Sequence, residues 1–168
     1  MVSLVKVATV IALVCVQAAC AWGPTKGNRY LDRHPGGGFH TGLDLYGSVG
    51  TEVLAARDGR VAWAQAEDGA VAPRLTIDYV VAGVEYQTQY YHIGDPLVKQ
   101  GDLVKQGQTV ARLALTGERG PNDRRTIGIP HLHLELFVNG ARKDPETIKW
   151  ACPTKEQPRV EWLWPVGC

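Results

Sequence analysis

His131-Leu-His-Leu-Glu-Leu-Phe-Val138 is the stretch that decides the architecture. On a β-strand successive side chains point to opposite faces, so His131, His133 and Glu135 share one face and Leu132, Leu134, Leu136 and Val138 the other. The leucine face is suited to a core. The histidine face must then look into a cleft, because two imidazoles and a carboxylate aligned on one sheet face are difficult to explain by packing alone.

Working outward, the same texture recurs. Val53–Ala56, Gly59–Ala64, Arg74–Val81, Val84–His92 and Thr109–Leu115 are short, β-branched or aromatic, and bounded by Gly, Asp or Pro. Helical periodicity is weak after the N-terminal segment. These features predict an all-β, or β-dominated, antiparallel sheet domain. Asp58-Gly59 and Ala82-Gly83 are expected to be hairpin turns. Val98-Lys-Gln-Gly-Asp-Leu103 is followed by Val104-Lys-Gln-Gly-Gln-Thr109, a repeat too brief for a solenoid and read as two successive turns.

The chain has 168 residues, enough for one domain with a proper core. Residues 1–21 differ from the rest: one base (Lys6), no acid, an apolar run Val7–Val16, then Ala18, Ala19 and Ala21. This is the pattern of a secretory signal peptide, with cleavage expected after Ala21. The apolar run is shorter than the ~20 residues a membrane span needs. Lipidation at Cys20 is disfavoured by Gln17, which stands where that motif usually has Leu. A retained N-terminal anchor is the other alternative. Removing Lys6 from 18 bases leaves 17 against 17 acids. A neutral mature protein offers no electrostatic case for nucleic acid or an anionic membrane. Export predicts a periplasmic, envelope or extracellular location, with a domain over 22–150 and a tail over 151–168. In an exported protein Cys152 and Cys168 most simply form one disulfide closing that tail.

His40-Thr-Gly-Leu-Asp44 is the second decisive motif. Gly42 argues against a helical His–Asp pair and favours a loop leading into a strand. With His131 and His133, the motif offers four candidate ligands. A catalytic zinc keeps only three protein ligands, so one group is left over to act on the bound water.

Taken in order, Arg33-His34-Pro35, Phe39-His-Thr-Gly-Leu-Asp44, Gly50–Val61, Tyr90-Tyr-His92-Ile, Val98–Val110, Thr116-Gly117 and Pro130-His-Leu-His-Leu-Glu135 resemble the M23 zinc metallopeptidases, the lysostaphin and LytM-like peptidoglycan endopeptidases. The resemblance covers roughly Asn28 to Trp150. It implies a small antiparallel β domain with a narrow groove walled by loops. It implies one zinc per chain held by His40, Asp44 and His133, with His131 and His92 as non-ligand catalytic histidines. It implies hydrolysis of peptides in bacterial cell-wall peptidoglycan, with a zinc-activated water as nucleophile. Such a water has its pKa lowered to roughly 7. One imidazole would move the proton and a second donor would hold the oxyanion; which histidine does which stays open. His34 reads as structural or groove-lining. Glu135 reads either as an acceptor orienting an imidazole or as an ordinary strand residue. The loop between Pro35 and His40 is shorter, and Glu118–Ile129 longer and more polar, than in many relatives.

Three other readings compete. A non-catalytic family member that binds or activates wall hydrolases usually lacks zinc ligands, and all five positions are present here. A lipoyl- or biotinyl-type carrier would modify a lysine in a tight turn, often beside Met, and the only Met is Met1. A D-Ala-D-Ala carboxypeptidase would need a longer His-to-Asp spacing and a terminal Trp-His, whereas Trp150 is followed by Ala151.

Overall fold

The computed structural model describes residues 24–34, 37–66, 72–115, 129–152 and 162–168. Residues 1–21, read above as a signal peptide, Thr116-Gly117 and most of Glu118–Ile129 lie outside the described residues. Among the described residues nine strands follow in order: β1 Leu43–Tyr46, β2 Glu52–Leu54, β3 Gly59–Gln65, β4 Arg74–Val81, β5 Val84–Tyr91, β6 Leu103–Val104, β7 Thr109–Arg112, β8 His131–Val138 and β9 Ala141–Lys143. A 3-10 turn, Pro145–Thr147, follows β9. The main sheet runs β1-β8-β5-β4-β3-β6, and β9 pairs with the C-terminal part of β8. β2 and β7 form a separate two-stranded sheet. All these ladders are antiparallel, as the short β-rich segments predict.

β8 is central and carries the fold. Its leucines Leu132, Leu134 and Leu136 are fully buried, as are Leu43 and Leu45 of β1 and Leu75 and Ile77 of β4. Burying each such side chain contributes about 1.5–3 kcal/mol. That core face fixes the register, because a one-residue slip would carry every leucine into the cleft and every histidine into the core. Val138 is only half-buried, so the core face fades at the end of the strand.

Ala82-Gly83 joins β4 to β5 as a two-residue hairpin, with φ of 51° and 79° and Val81 opposite Val84. Asp58-Gly59 is not a hairpin turn. β2 pairs with β7, and the dipeptide passes from one sheet to the other. Gly59 serves close packing instead: a Cβ there would lie 2.6 Å from the Asp78 carbonyl oxygen and from the Tyr79 ring. Asn139-Gly140, an Asn-Gly pair that the sequence reading passed over, makes the β8–β9 hairpin with φ of 48° and 75°. The six-residue repeat does form two like turns. Lys99 N donates to Asp102 Oδ2 at 2.9 Å, and Lys105 N donates to Gln108 Oε1 at 3.0 Å; Gly101 and Gly107 supply positive φ in each.

The tail returns to the body. A disulfide joins Cys152 to Cys168 across a Cα separation of 5.7 Å. Leu54 N donates to Pro165 O, and Leu163 N donates to Ala56 O. Trp162 sits edge-on against Tyr79, and Trp164 stacks on Trp150 with ring centres 4.8 Å apart.

Candidate metal centre

Antiparallel register builds the site. β1 pairs with β8 so that Asp44 lies opposite His133 and Tyr46 opposite His131. Opposed residues share a face. The alternation of Leu-Asp-Leu-Tyr on β1 therefore puts Asp44 on the histidine face while Leu43 and Leu45 enter the core. Gly42, just before β1, is needed for this approach. A Cβ there would press on the Leu134 carbonyl and lie 2.9 Å from His133 Nε2. His40 then comes back over the strand end, buried beside Asp44.

Three donor atoms converge. Asp44 Oδ1 is 3.0 Å from His40 Nε2 and 3.0 Å from His133 Nδ1. Three ligands in a tetrahedral zinc site with ~2.05 Å bonds sit about 3.3 Å from one another; both histidine nitrogens stand near that spacing from Asp44 Oδ1, and ligand atoms of the three residues lie within 4.8 Å of one another. His131 Nε2 lies further out, 3.6 Å from the same oxygen. Among the described residues His40, Asp44 and His133 form the metal-capable cluster.

The opposite side of each donor group is occupied. His40 Nδ1 donates to the Arg29 carbonyl at 3.0 Å; a carbonyl only accepts, so Nε2 keeps its lone pair. His133 Nε2 donates to Glu135 Oε1 at 3.4 Å, leaving Nδ1 to face Asp44. Glu135 is itself held by Arg142 Nη2 at 3.1 Å. Asn28 Nδ2 donates to Asp44 Oδ2 at 3.1 Å, leaving Oδ1 for the cluster. Partners of this type fix tautomer and orientation at metal sites. This donor set of two imidazole nitrogens and one carboxylate oxygen fits zinc.

Electrostatics agree. Burial pushes the Asp44 carboxyl up, but hydrogen bonds to His133 and His40 and the field of His131 overcome this and hold it well below the usual range. Burial pushes His133 down, and Asp44 and Glu135 more than reverse it, so its pKa is raised. Burial raises Glu135; the bonds from His133 and Thr41 and the Arg142 charge bring it below its ordinary value. Asp44 and Glu135 are thus carboxylates at neutral pH. A proton on His133 Nδ1 and a metal compete for one lone pair.

The structure brings all five sequence-predicted residues together. His131 projects from the same face of β8, its Nδ1 donating to the Ile129 carbonyl at 2.8 Å. His92 follows β5, with its ring centre 4.7 Å from that of His131 and 6.1 Å from that of His133. Its φ of 61° is unusual for a non-glycine residue; strained backbone of this kind clusters at functional sites. His34 is exposed, 5.9 Å from the His40 ring, and flanks the cluster. Glu135 takes the imidazole-orienting position. Asn28, Arg29, Tyr91 and Arg142 were not singled out from sequence. Tyr91, opposite His133 in the β5–β8 ladder, lies with its ring 5.5 Å from that of His133. The overlooked Asn-Gly turn is the signal that would have set Arg142 beside β8.

Comparison with known proteins gives a consistent result. The chain is 39% identical over 113 residues to the peptidoglycan DD-endopeptidase ShyC of Vibrio cholerae, covering 66% of this chain and 23% of ShyC. It is 38% identical over 120 residues to an uncharacterized metalloprotease of Haemophilus influenzae, covering 70% of this chain and 23% of that protein. The chain thus spans about a quarter of the length of these relatives. Its fold matches the catalytic domain of lysostaphin from Staphylococcus simulans with a TM-score of 0.59 at 28% identity, covering 74% of this chain and 90% of that one. The Peptidase family M23 model matches residues 38–145, well over half of the sequence, and the chain belongs to that family.

Proposed function

We propose that this protein is an exported zinc endopeptidase that hydrolyses peptide bonds in bacterial cell-wall peptidoglycan. The observation that carries the reading is the convergence of His40 Nε2, Asp44 Oδ1 and His133 Nδ1, each with its other polar atom already engaged. The substrate class is supported by the DD-endopeptidase named among its relatives. Export is supported by the basic, apolar, small-residue pattern of residues 1–21 and by the Cys152–Cys168 disulfide. No helix among the described residues is long and apolar enough to cross a membrane.

In this reading His40, Asp44 and His133 hold the zinc. When bound, zinc lowers the pKa of a coordinated water and polarises the scissile carbonyl. His131 is the proton acceptor: its Nδ1 proton is committed to Ile129 O, so Nε2 presents a lone pair toward the cluster. His131 then returns that proton to the leaving amine. His92, whose ring lies beside that of His131, donates to the oxygen that gains charge as the carbonyl is attacked. Burial of Asp44 and His40 keeps bulk water from screening these charges.

The test is zinc analysis of purified protein, combined with digestion of sacculi of different cross-bridge types and mass identification of the released muropeptides. About one zinc per chain and release of cleaved peptides are expected, and Asp44→Ala should lose both. Folded wild type without zinc removes the reading; zinc without cleavage of any sacculus favours a binding or activating role.

A further inference from the structure

Two of the three proposed ligands are held from behind by one short segment. Residues 25–29 run along the outer edge of β1. Tyr46 N donates to Thr25 O at 2.8 Å, Gly27 N to Asp44 O at 2.8 Å, and Asp44 N to Asn28 O at 2.9 Å. Gly27 allows this flush approach: a Cβ there would lie 2.7 Å from the Tyr46 ring and 3.1 Å from Asp44 Cβ. The Asn28 amide thereby reaches Asp44 Oδ2, and the Arg29 carbonyl reaches His40 Nδ1.

The segment is itself tied down. Lys26 Nζ donates to Glu146 Oε1 at 2.6 Å, in a partly buried pair on the 3-10 turn. The same ammonium lies over the Trp164 ring, 5.2 Å from its centre. Trp164 stacks on Trp150 and belongs to the tail that the disulfide closes.

We propose that residues 25–29 are a positioning strap for the metal centre, in which Asn28 fixes Asp44 as a one-oxygen ligand and the Lys26 ammonium anchors the strap to Glu146 on the 3-10 turn and to Trp164 of the disulfide-closed tail. A carboxylate with both oxygens free can swing, or bind through both. The Asn28 amide occupies Oδ2 and leaves only Oδ1 to the metal, which preserves a tetrahedral site with one open position. Without the Lys26 anchor, the strap would hold its two polar groups less firmly at Asp44 and His40. The proposal rests on the assignment of His40, Asp44 and His133 as zinc ligands.

The experiment measures zinc affinity by chelator competition, and visible absorption after cobalt(II) substitution, for wild type, Asn28→Ala and Lys26→Met. Loss of an outer partner typically weakens metal binding about 10–100-fold, the range expected for Asn28→Ala. Its cobalt band should also lose intensity, because five-coordinate cobalt absorbs less strongly than four-coordinate; a purely structural role would not produce that change. Asn28 is exposed, so the melting temperature of the zinc-depleted variant should stay close to that of zinc-depleted wild type. Lys26→Met keeps the apolar stem and removes the charge that pairs with Glu146 and lies over Trp164; about a tenfold loss is expected. Wild-type affinity and cobalt spectrum in Asn28→Ala would overturn the positioning role. Wild-type affinity in Lys26→Met would overturn the anchoring role of the Lys26 ammonium. Absence of zinc from folded wild type would instead overturn the ligand assignment, so the two failures are distinguishable.

Discussion

Gly42→Ala is the smallest change that should separate the metal centre from the rest of the fold. Ordinary van der Waals contact for a Cβ begins near 3.4 Å, and the new methyl would stand 2.9 Å from His133 Nε2. The imidazole must therefore give way by 3.4 − 2.9 = 0.5 Å. The Leu134 carbonyl is nearer still, and it belongs to the β1–β8 ladder, so the backbone cannot absorb the strain cheaply. Metal–ligand distances tolerate only about 0.2 Å, so the shift exceeds what the site can accept. It also moves His133 relative to Glu135, whose 3.4 Å bond is already long. Overpacking of this kind costs about 1–3 kcal/mol, which for a domain of this size lowers the melting temperature by roughly 2–12 °C. The expected protein is folded and cooperative but fails to retain zinc on dialysis and loses hydrolysis by about 100-fold or more, given the effect of ~1 Å displacements on catalysis. Zinc per chain, calorimetry and turnover on sacculi test this together. A variant with one zinc per chain and wild-type turnover would refute the claim that Gly42 is present because β1 and His133 leave no room for a Cβ.

Three further predictions rest on the same geometry. His131→Ala should keep zinc and lose hydrolysis by about 10²–10⁴-fold, the usual contribution of a general base; loss of zinc in that variant would make His131 a ligand. The pH dependence of zinc-depleted protein has two limbs. Asp44 and Glu135 have lowered pKa values, so the stability they contribute is present above their ordinary values of 3.8 and 4.5 and is lost as pH falls through the lowered ones. His133 has a raised pKa, so its contribution is complete below 6.5 and is lost as pH rises through the raised value. Melting temperature of the zinc-depleted protein should therefore be highest between about pH 5 and pH 6.5. A melting temperature that climbs steadily from pH 6.5 to pH 8 would contradict the His133 assignment. Zinc affinity should move the opposite way on the alkaline limb, rising with pH as His133 Nδ1 gives up its proton.

Much of the site is legible from local pattern, because a strand repeats every two residues. His131, His133 and Glu135 must share a face wherever β8 lies, and a core made of Leu132, Leu134 and Leu136 forces that face outward. Other features escaped because their cause is contact between distant segments. Asp58-Gly59 has the composition of a turn, but Gly59 is there to clear Asp78 and Tyr79 on a neighbouring strand. Asn28 and Arg29 carry no motif of their own; their importance comes from lying beside β1, some fifteen residues on. Arg142 matters through a hairpin that carries it back to Glu135.

Residue identity and spacing alone therefore determined the all-β character, the cleft face of β8, and the pool of four candidate ligands. They could not decide which nitrogen of each imidazole turns inward, or which histidine stands off from the carboxylate. Those choices depend on register and on the partners behind each ring. The β1–β8 ladder sets Asp44 opposite His133, Arg29 and Glu135 hold one nitrogen each of His40 and His133, and Ile129 holds one nitrogen of His131. The bonds behind the rings join residues close in the chain, but the β1–β8 pairing joins residues some ninety apart and has no local signature, and it is this pairing that brings Asp44 to His133.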